Sequence, residues 1–217
     1  MPTKAEQHLI RSLATTKGRR EHRLFVAEGH RLVGELLGYF KCYRLWADSD
    51  WAESHRHELQ GLQADIVTDA ELARISLLQH PQDVLALFCL PPCDEEPTHD
   101  IGSTLTLALD GVQNPGNLGT IIRAADWFGI HDIWCSTSTA DAFNPKVVQA
   151  SMGGLARVRV HNMQLAQMLT ALPEDIPVYG TSLQGESLWE CELAPDKGIV
   201  VMGNEGNTYT GQKITVI

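Results

Sequence analysis

Residues 105–123 read LTLALDGVQNPGNLGTIIR, and this stretch decides the fold class. Leu105–Leu109 is a continuous apolar run, which is typical of a strand buried on both faces of a parallel sheet. A polar, glycine-containing loop, Asp110–Asn117, follows it and leads into a predicted helix over Leu118–Phe128. Strand, loop and helix in this order predict one repeat of an α/β domain.

The alternation of strand and helix extends to both sides of this stretch. Downstream, the pattern predicts strands Asp132–Cys135, Arg157–Val160, Pro177–Thr181 and Gly198–Met202, and helices Pro145–Met152 and Leu165–Leu172. Upstream, it predicts helices Ala5–Ala14, Gly29–Tyr39 and Trp51–Gln60, strands Cys42–Trp46, Asp65–Val67 and Val84–Leu90, and a short helix after a capping box that begins at Thr68. The expected fold class is α/β, with an open parallel sheet in the C-terminal half.

A proline-rich, acidic stretch at about residues 91–102 separates the two halves. Prolines can continue neither a helix nor a central strand, so this stretch is predicted to be a linker. The sequence therefore predicts two domains, a small α/β domain over residues 1–95 and a second α/β domain over residues 96–217.

Composition excludes several classes of protein. With 43% hydrophobic and 20% charged residues among 217, the chain is neither disordered nor collagen-like. No apolar run approaches the roughly 18 residues of a membrane-spanning helix, and the first residues lack the apolar core of a secretory signal. Five scattered cysteines indicate reduced thiols. We therefore expect a soluble cytoplasmic protein with no membrane partner.

The net charge of −10 is unevenly distributed. Residues 1–31 carry a local charge of +4, whereas residues 32–217 carry −14. This asymmetry indicates a basic arm that could contact the phosphates of a nucleic acid, although a solvated helix face is an equal alternative. The candidate RNA-binding residues are Lys17, Arg19, Arg20, Arg23 and Arg31.

Three loops follow predicted strands, where α/β sheets bind their ligands. They are 114–123 (NPGNLGTIIR), 200–207 (VVMGNEGN) and 179–183 (YGTSL), and each alone could be an ordinary turn. None matches a phosphate-binding loop, a nucleophile elbow or a zinc-protease motif. Cys89, Cys93 and His99 lack a fourth zinc ligand at plausible spacing, so no metal is expected.

Taken together, the loops resemble the signatures of the SpoU (TrmH) family of RNA ribose 2′-O-methyltransferases. Residues 114–123 resemble the first signature and residues 201–206 (VMGNEG) the second. Residues 25–33 (FVAEGHRLV) are similar to the FxxEGxRxV stretch of the substrate-binding domain that many members carry. The resemblance covers nearly the whole chain.

The resemblance implies a C-terminal α/β-knot (SPOUT) domain that holds S-adenosylmethionine, an N-terminal RNA-binding domain, and a homodimer with active sites at the subunit interface. It implies Arg123, Asn114 and Glu205 as catalytic residues, with Asn114 and Glu205 orienting Arg123 and the nucleotide. The implied cofactor-binding residues are Thr181, Leu183, Gly203, Asn204, Gly206 and Ile217. Ribosomal RNA is favoured over transfer RNA, because relatives with the added domain more often act on it.

Family members continue with a third signature that supplies a Ser and an Asn to the active site, and this sequence stops where that signature should begin. The C-terminal end of the domain is therefore expected to be incomplete. Two alternatives stay open beside the methyltransferase, namely a catalytically inactive RNA-binding relative and a nucleotide-binding α/β module unrelated to methylation.

Overall fold

The computed structural model describes residues 1–92, 104–182, 185, 187, 189–191, 193–194, 197–203 and 214–216. The elements along the chain are α1 (Lys4–Ser12), α2 (Thr16–His22), β1 (Leu24–Glu28), α3 (His30–Leu37), β2 (Cys42–Ala47), α4 (Ser49–Ser54), β3 (Ala64–Ile66), α5 (Asp69–Ile75), β4 (Val84–Cys89), β5 (Leu105–Asp110), α6 (Pro115–Trp127), β6 (Asp132–Ser136), α7 (Pro145–Ser151), β7 (Arg159–Met163), α8 (Leu165–Ala171), β8 (Val178–Gly180), β9 (Gly198–Gly203) and β10 (Ile214–Val216). A single 3₁₀ turn, Gly154–Ala156, follows α7.

Contacts divide the chain into two compact units. The first unit contains Met1–Pro92 and also Asp141–Ala156, and the second contains Cys93–Ala140 and Arg157–Ile217. The division into domains 1–95 and 96–217 stays a prediction. The contacts also show something that a single cut in the sequence could not describe. A segment from the middle of the second half, Asp141–Ala156, packs with the first unit.

The first unit is built on a four-stranded sheet in the order β1-β4-β2-β3. β4 pairs antiparallel with β1 and β2, and β2 pairs parallel with β3. All five residues of β1 are buried, so both of its faces are covered. Leu24 and Val26 join the core formed with α1 and α5, while Phe25 faces the opposite side, as alternation along a strand requires.

The segment Asp141–Ala156 completes the second face of that sheet. The ring of Phe143 lies 4.9 Å from the ring of Phe25 and 6.2 Å from that of Phe40, measured between centroids. Phe88 stacks on Phe25 at 5.5 Å, so four aromatic rings form one cluster. A Cβ on Gly153, at φ +93°, would approach the Cβ of Glu35 to 3.1 Å, which shows how closely the segment packs against α3.

The second unit is built on a six-stranded sheet in the order β10-β8-β9-β5-β6-β7, and every described pairing in it is parallel. Its apolar core contains Trp134, Leu165, Ile199 and Val201. The predicted parallel sheet and the α/β fold class are confirmed. Within the described residues, no helix is both long enough and apolar enough to cross a bilayer.

Two elements of the first unit were not predicted, and one predicted helix is too long. α2 lacks an apolar face, and it buries Gly18 and Arg19 instead. All of β1 except Leu24 lies inside the stretch 25–33, which was identified above only as a motif. The helix predicted over Trp51–Gln60 ends at Ser54, because the residues after His55 are mostly exposed and offer little apolar surface for packing.

Candidate active site

The carboxyl ends of three neighbouring parallel strands meet at one edge of the second sheet. The last residue of β5, Asp110, pairs with Gly203, the last residue of β9. Gly180 of β8 pairs with Val201, and the next residue, Thr181, donates its backbone N–H to the Val201 carbonyl at 3.0 Å. The structure therefore brings together two of the predicted cofactor-binding residues, Thr181 and Gly203, beside the end of β5.

Asn114 begins helix α6 as its N-cap residue. Its Oδ1 accepts hydrogen bonds from the backbone N–H groups of Gly116 at 2.8 Å and Asn117 at 3.3 Å. Pro115 occupies the first helical position, where its missing N–H costs nothing. Asn114 therefore has a clear local role, since it fixes where the loop ends and the helix begins.

A buried group of hydroxyls, which sequence reasoning missed, holds the loop between β5 and α6. Ser136 Oγ, at the end of β6, accepts the Gly111 N–H at 2.9 Å, and Thr139 Oγ1 donates to the Leu109 carbonyl at 3.0 Å. The Ala140 N–H donates to the Val112 carbonyl, also at 3.0 Å. The sequence signal for this group is the run of hydroxyl residues at 136–139 (STST), directly after a predicted strand.

Arg123 lies on the exposed side of α6, while Leu118 and Ile122 turn the opposite side into the core. Near its C-terminus the helix is anchored by Asp126, which accepts two hydrogen bonds from Arg157 at 2.7 and 2.8 Å. These bonds hold the pKa of the Asp126 carboxyl below its usual value. Arg123 is thus carried by a helix that is fixed at both ends.

The basic arm divides into exposed and buried members. Lys17, Arg20, Arg23 and Arg31 are exposed. Arg23 takes the left-handed conformation that ends α2, with φ of 54°, and donates to the Pro91 carbonyl at 2.6 Å. Lys17 and Arg20 lie on α2 and Arg23 ends it, whereas Arg31 lies on α3, and the contact of these cations with phosphates stays a prediction.

Arg19 corrects the prediction, because its side chain is only 1% exposed. Its guanidinium donates to the Leu13 carbonyl at 2.7 Å and to Asp141 Oδ2 from both Nε and Nη2. A buried guanidinium with these partners is not available to an RNA phosphate. The local sequence gave no sign of this, since Asp141 lies 122 positions away.

Five of the predicted site residues fall outside the described residues: Leu183, Asn204, Glu205, Gly206 and Ile217. Within the described part of the chain, no group of three or more His, Cys, Asp or Glu side chains could hold a metal ion. Burial raises the pKa of the Cys135 thiol to about 12 and that of Cys42 to about 11, so neither thiol is an activated nucleophile.

Comparison with known proteins finds two family models. The SpoU rRNA Methylase family matches residues 104–215, and the MRM3-like substrate binding domain matches residues 8–86. The 23S rRNA (guanosine(2553)-2′-O)-methyltransferase of Bacillus subtilis is 29% identical over 197 residues, which are 90% of this chain and 77% of that protein.

Solved structures of similar fold are found as well. A putative RNA methyltransferase of the TrmH family from Porphyromonas gingivalis is 36% identical, with a TM-score of 0.81 over 100% of this chain and 89% of that one. An AdoMet-bound rRNA methyltransferase from Sinorhizobium meliloti, 24% identical, has a TM-score of 0.79 over 100% of this chain and 87% of that one. The second likeness concerns the fold alone.

Proposed function

The chain belongs to the SpoU rRNA methylase family, and we propose that it transfers a methyl group from S-adenosylmethionine to a ribose 2′-hydroxyl of RNA. One observation carries this proposal. The matched region contains the edge at which Thr181 and Gly203 lie beside the end of β5, and the β5–α6 loop follows from that edge into the helix that carries Arg123. Loops at the carboxyl ends of parallel strands are where α/β sheets bind ligands.

The described part of this edge suits a nucleoside better than a phosphate. Gly203, at the end of β9, is partly exposed and has no side chain, so a flat ring can approach the backbone there. Thr181 is exposed and neutral. A sulfonium methyl group, once bound, is already electrophilic, so the protein's own task is to orient the 2′-hydroxyl and help remove its proton. Leu183, Asn204, Gly206 and Ile217 stay predicted contributors to the same site.

Arg123 is proposed to position the RNA and to stabilise the charge that develops on the attacking oxygen. An arginine is a poor general base, because its reference pKa is above about 12. Asn114 contributes by fixing the start of α6, two to three turns before Arg123. Glu205 stays a predicted partner in this arrangement.

Ribosomal RNA is the favoured substrate, with transfer RNA as the alternative. The Bacillus subtilis relative is named for 23S rRNA, and the match over residues 8–86 is to a substrate-binding domain. Exposed Lys17 and Arg20 on α2, with Arg23 and Arg31 nearby in sequence, supply cations for a large folded RNA. We place this activity in the cytoplasm.

We further propose a homodimer that uses the C-terminal end of α6. Trp127 is 85% exposed and Phe128 is 78% exposed, which is unusual for two adjacent large aromatic side chains. Trp127 follows Arg123 by four residues and so lies on the same side of the helix. A second copy docked there would shield the aromatic rings and bring its own residues close to Arg123.

Two measurements on the full chain test the proposed function. Calorimetric titration with S-adenosylhomocysteine is expected to give one saturable site per subunit. The unmodified chain is expected to transfer a labelled methyl group to ribosomal RNA. In Arg123→Ala the rate of transfer is expected to fall by about 100-fold or more, while the affinity for S-adenosylhomocysteine changes by less than about twofold. Arg56→Ala, at an exposed arginine elsewhere, is the matched control.

Each alternative has its own signature in these measurements. RNA binding without cofactor binding or methyl transfer would identify an inactive relative. Binding of a dinucleotide in place of S-adenosylhomocysteine would identify an unrelated nucleotide-binding module. Normal turnover by Arg123→Ala would remove Arg123 from the active site.

A further inference from the structure

We propose that Arg19 is a positioning residue for methyl transfer: through its ion pair with Asp141 it fixes the segment that holds the loop before α6. This inference rests on the proposed function. It assigns to a member of the basic arm a role that differs from phosphate contact.

The first step is the contact between Arg19 and Asp141. The two N–H groups of Arg19 that face the carboxylate, on Nε and Nη2, donate to Asp141 Oδ2 at 3.1 and 2.6 Å. Nη1 donates to the Leu13 carbonyl, and Nη2 also donates to Thr16 Oγ1. The guanidinium is therefore fixed from three sides, and Asp141 is held where this rigid group places it.

The second step is on Asp141 itself. Its other oxygen, Oδ1, accepts the N–H of Phe143 at 2.9 Å. Phe143 in turn packs in the aromatic cluster of the first unit. Both carboxylate oxygens are thus in use, so the backbone at Asp141 is fixed both by Arg19 and by the residues that follow it.

The third step follows from the covalent chain. Asp141 is bonded to Ala140, the last residue of the segment Ser136–Ala140. That segment makes two contacts with the loop after β5, at Gly111 and Val112, and a third with Leu109 inside the strand itself. Its beginning is fixed by β6 and its end by Asp141. A change at Arg19 therefore loosens one of the two ends of the segment Ser136–Ala140, which supports the loop between β5 and α6.

Arg19 lies on the same short helix, α2, as two of the candidate RNA-binding residues. Lys17 and Arg20, on the same short helix, are exposed and available to RNA. Gly18, between them, is packed so closely that a Cβ would overlap the Ser12 carbonyl oxygen. RNA held by the exposed cations would therefore steady a helix whose buried arginine sets the end of the supporting segment.

Kinetics with saturating cofactor and varied ribosomal RNA test this proposal. Arg19→Met is expected to lower kcat by about 10-fold, with the KM for RNA changed by less than about twofold, because the geometry of the site and not the affinity is disturbed. Arg20→Met is expected to act mainly on the other constant, by raising the KM for RNA. Arg19→Lys keeps the charge and one hydrogen bond, and it should recover part of kcat.

Asp141→Asn supplies an independent perturbation if Arg19→Met folds poorly. An amide has one acceptor oxygen, so it can serve Arg19 or the Phe143 N–H but not both, and kcat should fall without a change in the affinity for S-adenosylhomocysteine. Arg56→Met is the control for removal of a surface ion pair.

Three outcomes would overturn the proposal. A raised KM with an unchanged kcat in Arg19→Met would make Arg19 a direct RNA contact. Lower melting temperatures with both kinetic constants unchanged would make the ion pair merely structural. An unmodified chain that binds RNA but transfers no methyl group would refute the proposed function itself, before any variant is compared.

Discussion

Replacing Ser136 by alanine removes the centre of the cluster of hydroxyls, Ser136 and Thr139, that holds the β5–α6 loop. The Gly111 N–H then loses the acceptor that lies 2.9 Å away, and both groups are buried. Thr139 Oγ1 already donates its one proton to the Leu109 carbonyl, so Ser136 is the donor in the contact of 3.2 Å between the two hydroxyls, and this contact is lost as well. The variant therefore leaves a buried donor unpaired at the start of the loop.

The magnitude follows from that unpaired donor. A buried N–H without a partner costs about 1–3 kcal/mol, so we expect the free energy of unfolding of the second unit to fall by about 2 kcal/mol. With a urea slope of about 2 kcal/mol per M, the unfolding midpoint should fall by about 1 M. Ser138→Ala is the matched control, because Ser138 is exposed and contacts Ser136 only through its hydroxyl.

Two assays report on this change. Urea unfolding gives the free energy, and hydrogen exchange of a peptide that spans Gly111 reports on the loop itself, where exchange should accelerate. Methyl transfer should slow as well, since the loop leads to Asn114. Equal unfolding midpoints and equal exchange for Ser136→Ala and Ser138→Ala would refute the assignment of the hydroxyl group as the support of this loop.

Three further predictions concern the first unit. Phe143→Ala should lower the free energy of unfolding of the first unit by about 2 kcal/mol, which is less than the loss expected for a fully buried phenylalanine, because Phe143 is only half-buried. An unchanged thermal melt would contradict the aromatic packing. Burial raises the pKa of the Glu28 carboxyl above its ordinary value of 4.5, despite hydrogen bonds from neighbouring groups, so the folded state holds the proton more tightly than the unfolded chain. The unmodified chain should therefore lose stability relative to Glu28→Gln as pH rises from about 4.5 through the raised pKa, and parallel stability curves for the two proteins would disprove this. Charge reversal at Lys17 and Arg20 should weaken RNA binding and lower the slope of log affinity against log salt by about 1–2, whereas unchanged affinity would place the RNA-binding surface elsewhere.

Local chemistry explains what the sequence predicted well. The capping box at Thr68 is present, with the side chains of Thr68 and Glu71 each bonded to the other's backbone. Leu105–Leu109 is a parallel strand between two others, as its unbroken apolar pattern indicated. Both features depend on residues that are close in the sequence, so pattern alone was sufficient.

Distant partners explain what the sequence could not show. Arg19 lies in a basic stretch that is typical of phosphate ligands, and its pairing with Asp141, 122 positions away, is the part of its burial that the local sequence could not show. Ser136 and Thr139 can support the β5–α6 loop only because β6 lies beside β5, and the order of strands in the sheet is not visible in the local sequence. For Asn114, pattern located the helix start within a few residues, and the structure added the cap itself.

The aromatic cluster around Phe143 has a consequence for the order in which the chain is made. Residues 1–92 leave the ribosome first, but the sheet they form is completed by Asp141–Ala156. At about 5–20 residues per second, synthesis of residues 93–156 takes about 3–13 s, during which Phe25, Phe40 and Phe88 lack their fourth ring. The half that matches a substrate-binding domain is thus the first to be synthesised, but it cannot finish folding until much of the methylase half has been made, so the two halves mature together in time.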